Sequence, residues 1–200
     1  MIKMENKNIW LTYSAKEKEE LHKICELYKS WLDKGKTERE CVELAVELAE
    51  KAGYHNLEEY LSEERQIQKG EKIYSVCMKK CIVLFRMGED PISAGMNILG
   101  AHIDSPRIDI KQNPLYEKDD FTYLDTHYYG GIKKYQWVTQ PLALHGVVVK
   151  KDGSCVNISI GEREDEPVFV ITDLLIHLAS KKLEKKEGEV IEGEKLDILI

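Results

Sequence analysis

The stretch NILGAHIDSP, residues 97–106, runs an apolar segment into two small residues, sets His102 and Asp104 two positions apart, and stops at Ser105-Pro106. On an extended strand alternate side chains point to the same side, so His102 and Asp104 would share a face. They would stand about 6.6 Å apart along the chain. An imidazole that binds a metal through one nitrogen keeps its other N–H, and a nearby carboxylate accepts that bond, fixing the tautomer and raising the ligand's basicity. Gly100 and Ala101 leave the approach uncluttered, and Pro106 is expected to end ladder pairing just beyond. The pattern suits a metal ligand and its orienting carboxylate at the C-terminal end of a strand, where α/β sheets place ligands. Taken alone, His-x-Asp is more often the pattern of an ordinary core or surface histidine.

Upstream, KIYSV, KCIVLFRM and MNILGAH are short runs rich in Ile, Val, Leu and Phe, which predict consecutive strands of a mixed or partly buried sheet. The first fifty residues carry the helical period instead. Ser14 is a candidate N-cap, and Leu21, Ile24, Leu27 or Tyr28, and Trp31 recur at helical spacing as core-packing positions. Gly35 breaks the pattern. Thr37 with Glu40 then makes a capping box, and Val42, Ala45, Val46 and Ala49 form an apolar stripe that ends at Gly53. Helices followed by strands, without Gly/Pro-rich linkers, predict an α/β layered domain.

Downstream of Pro106 the texture turns to β. RIDIKQ and FTYLDTHYY alternate as half-exposed strands, and HGVVVKKDGSCVNISI predicts a hairpin turning at Asp152-Gly153. VFVI leads into an expected helix, DLLIHLASKKLEKKE, capped by Thr172 or Asp173. A domain boundary is expected near residue 108, dividing the chain into 1–108 and a β-rich 109–200. The closing KLDILI is an apolar strand with no turn after it, and an unpaired apolar edge invites aggregation, so a chain that continues further is expected.

Composition narrows the function classes. The formal net charge is −7, with 29 basic against 36 acidic residues, and this argues against nucleic acid as the main partner. The lysines of 181–195 alternate with glutamates and make a solvated face, because interaction tails carry blocks of one sign. No apolar run approaches the length of a membrane span, and the N-terminus lacks the apolar core of a signal peptide. Five scattered cysteines form no disulfide framework, which fits a reduced, cytoplasmic protein. Cys77 and Cys81 have no second Cys/His pair at zinc-ribbon spacing and are expected to be buried thiols.

Several motifs in order raise the specificity. GAHIDSP resembles the histidine motif of the aspartyl-aminopeptidase-like metallopeptidases, the family that includes vacuolar aminopeptidase I. YYGGIKKYQW resembles that family's Tyr-Gly-Gly segment and following tryptophan, PLALHGVVV its Leu-Ala-Gly-Arg-Val strand, and EPVFVITDLLIHL its Pro-x-Leu-Ala-Ile-His-Leu segment. EGEKLDILI resembles the family's next segment in chain order. The likeness spans about residues 70 to 200, and the N-terminal helices fit the family's opening.

The resemblance implies the N-terminal part of a mixed-sheet, co-catalytic zinc exopeptidase domain, followed by an inserted β-rich domain that mediates dimerisation and assembly, commonly into dodecamers. It implies two zinc ions per active site in the whole enzyme and peptides as substrates. It places the first metal-ligand histidine on His102 and its orienting aspartate on Asp104. It places on His177 a histidine that reaches a neighbouring subunit's active site and helps bind substrate. Ile103 stands where relatives carry threonine, and His145 interrupts the Leu-Ala-Gly-Arg pattern. His127 and His145, like His22 and His55, are expected to be structural or surface residues. The bridging carboxylate, the remaining ligands and the general-base glutamate match nothing among Asp109, Asp119, Asp120, Asp125, Glu162, Glu164, Asp165 and Glu166, and are expected downstream of Ile200. The chain alone is therefore expected to be inactive. The alternative is a non-catalytic assembly or binding module that keeps the family fold.

Overall fold

Two α-helices form early in the chain because their first turns are closed by their own side chains. In the computed structural model, which describes residues 8–200, α1 runs Ala15–Lys34 and α2 runs Glu38–Lys51. Ser14 and Thr37 are the N-caps, each in a reciprocal capping box with Glu17 and Glu40 respectively, as their spacing predicts. Gly35 lies between the helices because a side chain there would collide: a Cβ would come within 2.9 Å of Cys41 Sγ and 3.1 Å of the Trp31 carbonyl oxygen. The first seven residues of the N-terminal segment, to which the signal-peptide reading applied, lie outside the described residues.

The chain divides into two compact units, 1–103 and 104–200. In the first, β1 (His55–Asn56) pairs parallel with β2 (Lys72–Cys77), and β2 pairs antiparallel with β3 (Cys81–Arg86), a mixed three-stranded sheet. The short helix α3 (Leu57–Ser62) lies between β1 and β2 in sequence. Val42 and Ala49 of α2, Tyr60 of α3, and Ile73 and Tyr74 of β2 are the buried core. Tyr74 donates its hydroxyl to Glu50 Oε1 at 2.7 Å, and burial followed by that carboxylate pushes its pKa up to about 12.

Three expectations for this unit fail. The apolar stripe of α1 is not core: Ile24, Leu27, Tyr28 and Leu32 are exposed, and only Leu21 and Trp31 are half-buried. Residues 96–102 form no strand. A strand is held by ladder partners, and residues 96–101 join no sheet among the described residues, so Ile98 and Leu99 stand 80% and 99% exposed. Cys77 and Cys81 are exposed rather than buried, sitting opposite each other where the β2–β3 hairpin turns; of the five free cysteines only Cys41 is buried.

The second unit is β-rich. β4 (Arg107–Lys118) and β5 (Phe121–Tyr129) form an antiparallel hairpin, joined by Asp119 and Asp120, both at positive φ. Aspartate tolerates that left-handed conformation better than most residues. Pro106 therefore precedes a strand instead of ending one. The third strand of the sheet, β8 (Ile198–Leu199), pairs antiparallel with β5. β6 (Leu144–Val149) and β7 (Cys155–Ile160) make the expected hairpin, with Gly153 at positive φ in its turn.

The core of this unit is built from Ile171, Ile191, Leu196 and Ile198, flanked by Ile108, Leu124 and Tyr128 among others. The terminal KLDILI run is thus tucked into the sheet, not left naked: Leu196 is fully buried and Ile198 nearly so. Two polar contacts fasten it. Thr126, itself fully buried, donates Oγ1 to the Leu196 carbonyl at 2.7 Å, and Tyr116 donates its hydroxyl to Asp197 at 2.6 Å. The expected helix over residues 173–187 is absent as a continuous element. In its place stand a single 3-10 turn at Ile176–Leu178 and two short helices, Ser180–Leu183 and Glu187–Val190. An N-cap accepts from the second or third helical N–H, whereas Asp173 accepts from Leu174 N at 2.7 Å and from Lys182 Nζ at 2.6 Å, so it caps nothing.

Candidate functional site

His102 and Asp104 lie on either side of the division between the two units, which falls between Ile103 and Asp104. The irregular backbone of residues 96–106 removes the strand geometry on which a shared face was expected.

Within the second unit the surroundings of Asp104 are well defined. Tyr129, the last residue of β5, donates its hydroxyl to Asp104 Oδ2 at 2.8 Å. Tyr129 is brought there by ladder register, because it pairs directly with Arg107, the first residue of β4. The Arg107 guanidinium lies 4.4 Å from the centre of the Tyr129 ring, at cation–π distance. Arg107 is in turn held by its Nε–H, which donates to Asp109 Oδ1 at 2.7 Å, and by its Nη1 on the Ser105 carbonyl at 3.3 Å. Gly130 follows at φ +75°, and a Cβ added there would meet Pro106 at 3.4 Å, so the chain leaving β5 lies against the chain entering β4. The segment carrying Asp104 is thereby clamped from its C-terminal side. The Tyr-Tyr-Gly-Gly motif stands out in the sequence, but nothing there gives Tyr129 a role. The contact depends on a register between distant positions, and no local pattern displays it.

His177 sits in the 3-10 turn Ile176–Leu178. Leu174, Leu175, Ile176 and Leu178 around it are 52–74% exposed, an apolar projection of a kind that solvent alone does not favour. Asp173 holds the base of this projection through Leu174 N and Lys182, and its pKa is lowered chiefly by the Lys182 hydrogen bond.

Three other histidines lie beside carboxylates. His145 Nε2 lies 2.8 Å from Glu162 Oε1, His127 lies 3.8 Å from Glu194 and is stacked on Tyr128, and His22 lies 3.9 Å from Glu26 one turn away on α1. Among the described residues no group of three His, Cys, Asp or Glu side chains is placed to hold a metal ion. A catalytic zinc takes three protein ligands. One imidazole with a carboxylate partner has the right chemistry for a share of such a site but not the number to hold it alone. No described helix is long and apolar enough to cross a membrane.

Comparison with known proteins adds what the geometry leaves open. The family described as aminopeptidase I zinc metalloprotease (M18) matches residues 31–199. A probable M18 family aminopeptidase 1 of Clostridium acetobutylicum is 52% identical over 196 residues, covering 98% of this chain and 42% of the relative. The crystal structure of an M18-family aminopeptidase from Thermotoga maritima superposes with a TM-score of 0.86 at 38% identity, covering 98% of this chain and 42% of that one. The dodecamer of Saccharomyces mApe1 shares the fold at 17% identity, with a TM-score of 0.60 over 88% of this chain and 38% of that one. The chain thus spans about two-fifths of the length of the relatives it matches.

Proposed function

The chain belongs to the aminopeptidase I zinc metalloprotease family (M18), and from that premise we propose that it is the N-terminal portion of a metal-dependent aminopeptidase. Residues 1–108 would supply the first part of the catalytic domain, and 109–200 much of an inserted β-rich assembly domain. The observation that carries the reading is the family match over residues 31–199, a range that includes GAHIDSP and the IHL turn.

In the whole enzyme His102 would be one ligand of a two-zinc centre, and Asp104 would accept its second ring N–H. When bound, zinc supplies Lewis acidity and a water acidic enough to give hydroxide near neutral pH. The work of this chain's residues is positional. His102 holds an imidazole nitrogen toward the metal, and Asp104 keeps the ring in one tautomer and one orientation, at a usual worth of about 10–100-fold in affinity or activity. The remaining ligands and the general base would come from the part of the relatives that this chain does not span.

His177 would act in substrate binding from a neighbouring subunit. Its exposed apolar turn supports that reading, since such a projection suits burial against a second copy. Self-association into dimers, and into larger particles up to dodecamers, follows from the same role. Peptides would be the substrates, and the free thiols support a reducing, cytoplasmic setting. If His177 works across subunits, co-assembled particles of His177→Ala and His102→Ala chains recover part of the activity that each variant lacks alone. Mixed particles no more active than their parents would remove His177 from the site.

The 200-residue chain by itself is expected to show no chelator-sensitive cleavage of aminoacyl substrates, because too few ligands are present to fix a zinc ion. Chelator-sensitive turnover by the purified chain would show that the site is complete within it. The competing reading, a module that keeps the fold without the metals, predicts a full-length protein that neither binds zinc nor cleaves peptides.

A further inference from the structure

We propose that Tyr129 is a positioning residue for Asp104, holding in place the carboxylate read as the orienter of His102. The inference rests on the reading of His102 and Asp104 as ligand and orienter. What it adds is the origin of the orienter's own rigidity. A carboxylate on a short side chain rotates about its bond to Cβ unless an oxygen is held. Here Oδ2 accepts the Tyr129 hydroxyl at 2.8 Å. Two carboxylate oxygens offer about four acceptor sites, so this bond is compatible with a further one to an imidazole N–H.

The phenol is itself placed with unusual redundancy. The β4–β5 ladder sets Tyr129 opposite Arg107, and the Arg107 guanidinium covers the ring. Asp109 anchors that guanidinium, and Gly130 lets the backbone close on Pro106. The direction of every one of these contacts is toward residues 104–107. Tyr129 is 44% exposed, so its hydroxyl is poorly suited to a stability role: a hydrogen bond near solvent is worth little to folding. A tyrosine fixed so thoroughly for so little stability is accounted for by what its hydroxyl holds.

The test uses the full-length protein with Tyr129→Phe, which keeps the ring and its stacking on Arg107 but removes the donor. Zinc affinity is measured by competition with a chromophoric chelator, alongside kcat, KM and the thermal midpoint, for this variant, Asp104→Asn, the double variant and His102→Ala. Tyr129→Phe is expected to weaken zinc about 10-fold, the lower end of the range for residues that act through a ligand. KM and the thermal midpoint are expected to stay near wild type, and the double variant is expected to be no weaker than Asp104→Asn alone. Wild-type zinc affinity in Tyr129→Phe, with Asp104→Asn and His102→Ala both impaired, would overturn the Tyr129 inference and leave the metal reading intact. So would additive losses in the double variant, or an affinity loss that tracks a fall in thermal midpoint. Normal zinc binding by His102→Ala and Asp104→Asn would instead overturn the underlying reading, and the inference with it.

Discussion

His102→Ala in the full-length protein is expected to lower aminopeptidase turnover by more than about 100-fold, beyond the usual range for residues that merely support a metal ligand. Donor count sets the size of the loss. A catalytic zinc has three protein ligands and one position for water, so losing an imidazole leaves a centre that loses its ion or its geometry. Alanine removes the nitrogen while leaving the backbone between Ala101 and Ile103 free to keep its course. The loss should appear in kcat, since substrate contacts outside the metal remain, and excess zinc should restore little of it. A variant with full turnover and full zinc content would move the ligand role to another residue.

Leu196→Ala is expected to cost the second unit about 2–5 kcal/mol, the range for truncating a buried leucine. Leu196 has no exposed surface and packs with Ile171, Ile191 and Ile198. Its carbonyl also accepts the buried Thr126 hydroxyl, so a cavity here disturbs a polar contact as well as an apolar one. The closing residues of the chain are short, and β8 has only two residues in its ladder with β5. Side-chain burial therefore contributes more to holding them than the short ladder with β5 does. Denaturant unfolding checks this, with Ile200→Ala as the control: Ile200 is 59% exposed, and its truncation should stay within about 0.5 kcal/mol. Equal effects of the two substitutions would contradict the packing account.

Features written in a few adjacent residues were legible in the sequence. The capping boxes at Ser14 and Thr37 need only a hydroxyl and a glutamate three residues on, and the β6–β7 hairpin needs only alternation around Asp152-Gly153. What failed depends on partners. MNILGAH has the composition of a strand, but no composition creates a neighbour to share its hydrogen bonds, and the run stays irregular and exposed. Asp173 has the identity of a cap, yet Lys182, nine residues on, competes for its carboxylate. The stripe on α1 is correctly amphipathic and still unburied, because periodicity shows which face can pack and not what packs against it. The candidate site divides the same way. His102 and Asp104 stood out through a compact motif, while the hold of Tyr129 on Asp104 arises from the pairing of residues 107 and 129 and is visible only in three dimensions.

The central claim is that the His102 imidazole binds a divalent metal with Asp104 at its second nitrogen. Its most direct measurement is zinc-edge anomalous diffraction from crystals of the full-length protein. The expected result is an anomalous peak about 2.0–2.1 Å from one ring nitrogen of His102, with an Asp104 oxygen within hydrogen-bond distance of the other. A zinc-replete crystal with no peak beside His102, or with Asp104 turned to a different partner, would contradict it.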